Sequence, residues 1–167
     1  FFFKQKTAYE ILKEEDVVIV SEEAGVIGEG DVFVALDPID GTFNATVGVP
    51  IYSISLCFSR SQNLGGTFLG YVRNLATGDE YYADSNSYKN GKKIRVRDVD
   101  RLEDCNVVFY YPLRRYPFKR LRILGSASLE ICMVADGSFD CFIDLRKKDG
   151  KGYLRVYDVA ASLFIAK

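Results

Sequence analysis

Two short β-branched runs do most to decide what this chain can fold into. Val17 to Val20 (VVIV) stops at Ser21, and Val32 to Leu36 (VFVAL) stops at Asp37; runs of this length and branching read as buried strands. Carboxylates stand just past each strand end, Glu22 and Glu23 after the first, Asp37 and Asp40 after the second. A charged group at the end of an apolar element has no packing reason to be there. Further strands follow. Ile51 to Phe58 alternates as IYSISLCF, Thr67 to Val72 has strand character, and the turn TGDE at Thr77 to Glu80 precedes EYYA, which predicts neighbouring antiparallel strands. In NGKKIRV an Asn90-Gly91 turn opens before a short strand, as in a hairpin.

A second block begins at Val107 to Tyr110, a predicted strand, followed by another at Leu121 to Leu124. Ser126 to Ala135 reads as a helix with Leu129, Cys132 and Met133 on one face, closed by Gly137. Cys141 to Leu145 is strand-like, RKKDGKGY is a loop, and Val159 to Ile165 opens a second helix with Asp158 just ahead of it. Strands first, then strand and helix alternating, predict a layered α/β domain pair. The ends look incomplete. FFFKQKTAYEI resembles the translation of a sequencing-library adapter, so residues 1–11 are set aside, and SLFIAK stops inside an apolar pattern with no glycine, asparagine or proline to close the helix.

Composition narrows the function classes. Lys and Arg number 22 against 23 Asp and Glu, so no basic field favours nucleic acid or an anionic membrane surface. No apolar run approaches the roughly 20 residues that span a bilayer, and the expected setting is cytoplasmic with a small molecule as partner. His is absent, which removes Ser-His and Cys-His nucleophile systems. Cys57, Cys105, Cys132 and Cys141 lack metal or redox spacing and are expected to be buried free thiols.

Any chemistry must therefore rest on carboxylates, hydroxyls, lysines or a metal. Glu22, Asp37, Asp40 and Asp158 all lie at ends of apolar elements, and oxygen-only ligation with few protein groups is the habit of Mg²⁺. In DPIDGT, Pro38 stiffens the loop so that Asp37 and Asp40 can converge with the Ile39 carbonyl, while Gly41 and Thr42 begin a short helix whose N–H groups suit a phosphate. The loop alone is equally well read as turns, because Asp-Pro and Asp-Gly are strong turn formers. Its spacing excludes an EF-hand, and two residues between the aspartates exclude a phosphoaspartyl nucleophile, leaving water. In YYPLRRYPFKRLR, Tyr110 to Arg122, most basic side chains are expected to face solvent; Arg122 is the exception that could bind a second phosphate.

Taken together, SEEAG (21–25), DPIDGT (37–42), NGKKIRV (90–96), GSASLE (125–130) and YDVAAS (157–162) resemble the inositol monophosphatase superfamily. The closest likeness is to its archaeal-type branch, in which inositol monophosphatase and fructose-1,6-bisphosphatase activities coexist. The resemblance implies a layered α-β-α-β-α sugar-phosphatase fold, truncated at both ends, with residues 12–104 a partial N-terminal α+β metal-binding domain and 105–167 a truncated C-terminal α/β substrate domain. It implies a phosphomonoesterase using two or three Mg²⁺ ions, with Glu22, Asp37, the Ile39 carbonyl, Asp40 and Asp158 as ligands and Glu23 beside them. Gly41 and Thr42 would hold the phosphate, with the Thr42 hydroxyl positioning the attacking water. Ala127, Ser128 and Asp144 would contact the sugar or inositol. YDVAA stands where WDVAA is common, and the loop from Arg146 to Tyr157 is longer than usual for the family. The resemblance further implies that the upstream partner of Thr42 lies outside this chain, and that the whole protein is an active homodimer while this chain is not active. A bisphosphate nucleotidase of the same superfamily and a non-catalytic pseudoenzyme are the alternatives.

Overall fold

The computed structural model describes Leu12, residues 15–148 and residues 150–167; the adapter-like segment lies outside them. β1 (Val17–Ser21) and β2 (Gly25–Ile27) form a hairpin, and β3 (Val32–Asp40) pairs with β1 in parallel. Beyond the short helix α1 (Thr42–Val47), four strands continue the sheet by antiparallel pairing: β4 (Ser53–Ser59), β5 (Thr67–Asn74), β6 (Glu80–Ala83) and β7 (Ser87–Lys89). The two-residue β8 (Lys92–Lys93) completes an eight-stranded order β2-β1-β3-β4-β5-β6-β7-β8. The antiparallel neighbours and the Asn90-Gly91 hairpin expected from the sequence are present, both turn residues having positive φ. Strand character stops at Lys93, short of the expected Val96.

A second, parallel sheet has the order β10-β9-β11, built from β9 (Asn106–Tyr110), β10 (Arg120–Arg122) and β11 (Cys141–Asp144). Helix α2 (Ala127–Ala135) is the crossover from β10 to β11, as parallel pairing demands. A small hairpin, β12 (Lys147–Lys148) and β13 (Lys151–Gly152), leads to helix α3 (Val156–Ile165). This helix starts earlier than the sequence suggested. Asp158 lies inside its first turn, where its carboxylate accepts the Arg155 N–H at 2.6 Å and caps the helix.

The core lies between the large sheet and helices α2 and α3. Cys57, Val72, Tyr81 and Ala83 from the strands meet Leu129, Cys132 and Ala135 of α2 and Ala160, Ala161 and Ile165 of α3. Small residues let α3 lie almost on the sheet backbone. A Cβ added at Gly70 would come within 2.8 Å of the Ala161 carbonyl oxygen, so this strand position has room only for glycine. All four cysteines are free, but only Cys57 and Cys132 are buried; Cys105 and Cys141 are half-buried. No described helix is long and apolar enough to cross a membrane.

Candidate active site

The expected end of β3 at Leu36 is overrun. The strand continues through Asp37-Pro38-Ile39-Asp40, with its register irregular between the two aspartates. Proline has no N–H to give to a ladder, so it is accommodated where pairing lapses. Gly41 then takes φ 86° as the N-cap of α1, and a Cβ there would strike the Ile51 carbonyl at 2.9 Å and the Gly125 carbonyl at 3.1 Å. Only glycine lets the two halves of the chain meet at this point. Asn44 of α1 secures the junction by donating from Nδ2 to the carbonyls of Ile51 (2.8 Å) and Leu124 (2.7 Å).

Asp40 is held by the N-terminus of α2. Its Oδ2 accepts from Ser126 Oγ at 2.8 Å, Ser128 N at 2.7 Å and Ser128 Oγ at 2.5 Å. Burial raises its pKa despite these donors. Asp37 is only 6% exposed and accepts the Ile39 N–H on Oδ1 at 3.0 Å. Burial, first, and then the charge of Asp40 push the Asp37 carboxyl up to about 8; the charges of Asp158 and Glu22 act in the same direction. Asp158 is pushed up to about 6, again chiefly by burial, with Asp40 and Glu22 adding to it.

These four carboxylates therefore share one electrostatic neighbourhood. They are not arranged as a finished coordination shell. Among the described residues no three His, Cys, Asp or Glu side chains converge into a metal cluster, because Asp40 is turned into its serines and Asp158 into the Arg155 amide. Thr42 is exposed, and its Oγ1 donates to the Ile39 carbonyl at 3.0 Å, the same oxygen expected to face a metal. As a donor set the group fits a hard divalent cation: all oxygen, mutually repelling, and relieved of that repulsion by a positive charge.

A cavity of about 290 Å³ adjoins the carboxylates. Glu22, Asp40, Asp158, Gly125 and Ala127 line it, together with a group to which the sequence assigned no role in the site: Tyr110, Arg146, Tyr153, Arg155 and Tyr157. Arg146 lies between two aromatic rings, its guanidinium carbon 4.0 Å from the Tyr110 ring centre and 4.3 Å from that of Tyr153. Its Nε and Nη2 grip the Asp144 carboxylate at 2.9 and 2.6 Å. Its Nη1 makes no hydrogen bond among the described residues. Below Tyr110 lies Glu130, fully buried, which accepts from Tyr110 Oη at 2.6 Å and from the Leu124 N–H at 2.5 Å.

Three of the expected substrate contacts have protein partners in this structure. Ser128 is fully buried, and both its amide and its hydroxyl are spent on Asp40, so of the expected pair only Ala127 borders the cavity. Asp144 is occupied by Arg146 rather than open to a substrate hydroxyl. Arg122 is exposed on β10, its Nη1 folded back onto the Leu121 carbonyl, and it does not line the cavity. IDLR places Arg146 two residues after the carboxylate that ends β11, without saying which of the two faces the cavity, and Ser53 gave no signal beyond its place in a buried strand.

Comparison with known proteins agrees with the five motifs. A profile described as the inositol monophosphatase family matches residues 5–167, reaching back into the segment set aside as adapter-like. A fructose-1,6-bisphosphatase/inositol-1-monophosphatase of Archaeoglobus fulgidus is 62% identical over 164 residues, covering 98% of this chain and 64% of that protein. A protein of the same description from Methanothermobacter thermautotrophicus is 36% identical over 173 residues, covering 90% of this chain and 60% of that one. The crystal structure of an inositol monophosphatase-fructose 1,6 bisphosphatase superposes with a TM-score of 0.84 at 34% identity, over 97% of this chain and 64% of its own. The chain thus spans somewhat less than two thirds of the length of these relatives.

Proposed function

The chain belongs to the inositol monophosphatase family, and on that premise we propose that its cleft serves a Mg²⁺-dependent phosphomonoesterase acting on fructose 1,6-bisphosphate and inositol monophosphate. The observation that carries this reading is the crowding of Asp37 by Asp40, Asp158 and Glu22 beside a cavity that Arg146 and Arg155 also line. Negative groups suited to cations and positive groups suited to phosphate meet in one cleft. The names of the relatives support the choice of substrates.

In this reading Glu22, Asp37, the Ile39 carbonyl, Asp40 and Asp158 hold two or three Mg²⁺ ions. When bound, Mg²⁺ supplies charge compensation for phosphoryl oxygens and acidifies water. The chain's own groups do the rest. The N–H groups of Gly41 and Thr42 hold the phosphate being cleaved, and the Thr42 hydroxyl, released from the Ile39 carbonyl, orients the attacking water. Ala127 and the Tyr110 ring bound the sugar.

Arg146 is the contact for a second phosphate. Its fork is already half used by Asp144, which offsets its charge, so it contributes a directed donor more than a net field, and the exposed Arg155 supplies the remaining charge. Residues 12–104 serve as the metal-binding unit, with Asp158 added from residues 105–167, which serve as the substrate unit. A cytoplasmic, homodimeric whole protein belongs to the same reading, since such phosphate esters are small cytoplasmic metabolites.

The test is phosphate release by the complete gene product from fructose 1,6-bisphosphate, inositol 1-phosphate and adenosine 3′,5′-bisphosphate, with Mg²⁺ and with chelator. Mg²⁺-dependent release from the first two is expected. Release from the adenosine compound alone would move the assignment to a nucleotidase, and release unaffected by chelator would end the metal reading.

A further inference from the structure

In a regular strand, residues three apart face opposite sides of the sheet. Asp37 and Asp40 escape this because β3 is irregular between them. Asp37 stands opposite Ser55 and Asp40 opposite Ser53, so three steps of β3 span two steps of β4. Ser53 and Ser55 are alternate residues on the buried face of β4, 0% and 1% exposed. The irregularity thus brings each aspartate over its own buried hydroxyl.

The two hydroxyls are in different states. Ser53 Oγ lies 2.7 Å from Ser128 Oγ and 3.4 Å from Ser126 Oγ, and both of those serines donate to Asp40 Oδ2. Ser53 therefore reaches Asp40 through one intervening hydroxyl. Ser55 Oγ is fully enclosed and has no hydrogen-bond partner among the described residues. A buried hydroxyl left unpaired is costly and calls for an explanation. Its opposite number, Asp37, accepts on Oδ1 from the Ile39 N–H. Directly opposed residues in an antiparallel pair have Cβ atoms about 4.5–5.5 Å apart, which a change of rotamer converts to hydrogen-bond contact.

We propose that Ser55 is a positioning residue for Asp37: its hydroxyl is the donor that holds the Asp37 carboxylate when a divalent cation occupies the cleft. The proposal rests on the carboxylate-metal reading above. Ser55 does for Asp37 directly what Ser53 does for Asp40 through Ser126 and Ser128, and β4 is the common support of both aspartates.

Opposite signs in two states make this testable. The unfolding midpoint of the complete gene product is measured across a Mg²⁺ titration for the wild type, Ser55→Ala, Ser55→Thr and Ser59→Ala. Ser59 is the control, buried on the same face of β4 but bonded to the Ser61 and Asn63 carbonyls away from the aspartates. Without Mg²⁺, Ser55→Ala is expected to unfold at or above the wild-type midpoint, because it removes an unpaired hydroxyl. With Mg²⁺ its half-saturating concentration is expected to rise about tenfold, as for loss of a hydrogen bond to a charged group. Ser55→Thr, which keeps the hydroxyl, should stay within about twofold of wild type, and Ser59→Ala should lower the midpoint without changing Mg²⁺ affinity. A wild type that responds to Mg²⁺ with Ser55→Ala responding equally overturns the Ser55 assignment alone. A wild type with no Mg²⁺ response overturns that assignment together with the metal reading beneath it.

Discussion

Asp37, Ile39, Asp40, Gly41 and Thr42 come from one stretch of six residues where β3 passes into α1, whereas Tyr110, Asp144, Arg146 and Tyr153 are gathered from β9, β11 and the hairpin beyond it. The first group is held by buried hydroxyls and a strand irregularity; the second is held by ring faces and one ion pair. Packing fixes the acidic group tightly at the cost of crowding like charges. Stacking leaves the cationic group adjustable, since long side chains supply most of it. A site divided in this way can keep its acidic group constant while its cationic group changes.

The sharpest way to break the comparison is at Asp37. Asp37→Asn in the complete gene product should lower turnover by at least about a thousandfold, as expected when a charged ligand at the reacting centre is lost. Above about pH 8, where the Asp37 carboxyl is ionised, the same change should raise the unfolding midpoint without Mg²⁺, because it removes a buried charge repelled by Asp40, Asp158 and Glu22. Near-normal activity, or a lower midpoint, would show that the acidic group is structural.

A second effect tests whether the two groups are mechanically joined. Glu130 sits under Tyr110 and also receives the Leu124 and Gly125 amides, beside the Asn44 junction. Burial pushes its carboxyl up to about 7 from an ordinary 4.5. A raised carboxyl pKa means that the folded state holds the proton more tightly than the unfolded chain does. Its stabilisation is fully present below about pH 4.5 and is lost as pH rises through about 7, on the order of 3 kcal/mol over that window. Asp37 and Asp158 titrate with the same sign, so the informative quantity is wild type minus Glu130→Gln. Glutamine mimics the protonated acid and should flatten that part of the profile in thermal unfolding between pH 5 and 8. Parallel profiles would remove Glu130 as the link.

The contrast also explains what could be read from the sequence. The large sheet and the acidic group were legible because strand-forming runs end in carboxylates and because DPIDGT is contiguous. The extension of β3 through Asp40 was not, since proline and two aspartates argue locally for a turn, and only pairing with Ser53 and Ser55 keeps the segment in the sheet. Asp158 was placed ahead of its helix because a carboxylate before an apolar run resembles an N-cap, whereas here it is the third helical residue that reaches back. On the cationic side, Asp144 and Arg146 neutralise one another, and nothing in IDLR says which of the two faces the cavity. Tyr153 lies in a loop, and Tyr110 could be read only as the last residue of a strand, so neither carried a local signature of the stack.

Arg146 therefore decides how far the cationic group acts on its own. Arg146→Lys loses the fork to Asp144 and the stacking between two rings. KM for fructose 1,6-bisphosphate should rise about tenfold, while KM for inositol 1-phosphate, which has no second phosphate, should change by less than about threefold. Equal rises for both substrates would mean that Arg146 shapes the cleft without reading the second phosphate.

The smallest expected effect is at Arg122, and its smallness is informative. The sequence favoured this residue over its basic neighbours because it stands just before GSASLE. In the fold that proximity is spent: β10 ends at Arg122, the chain turns at Leu124 and Gly125 toward Asn44 and Glu130, and the Arg122 side chain stays in solvent against its neighbour's carbonyl. An exposed side chain with no partner but a local carbonyl contributes little to binding across the molecule, because solvent and salt screen its charge. Arg122→Ala should leave both KM values within about twofold of wild type. A selective loss for the bisphosphate would return the second phosphate to β10, and the Tyr110-Arg146-Tyr153 stack would then have to be read as structural support.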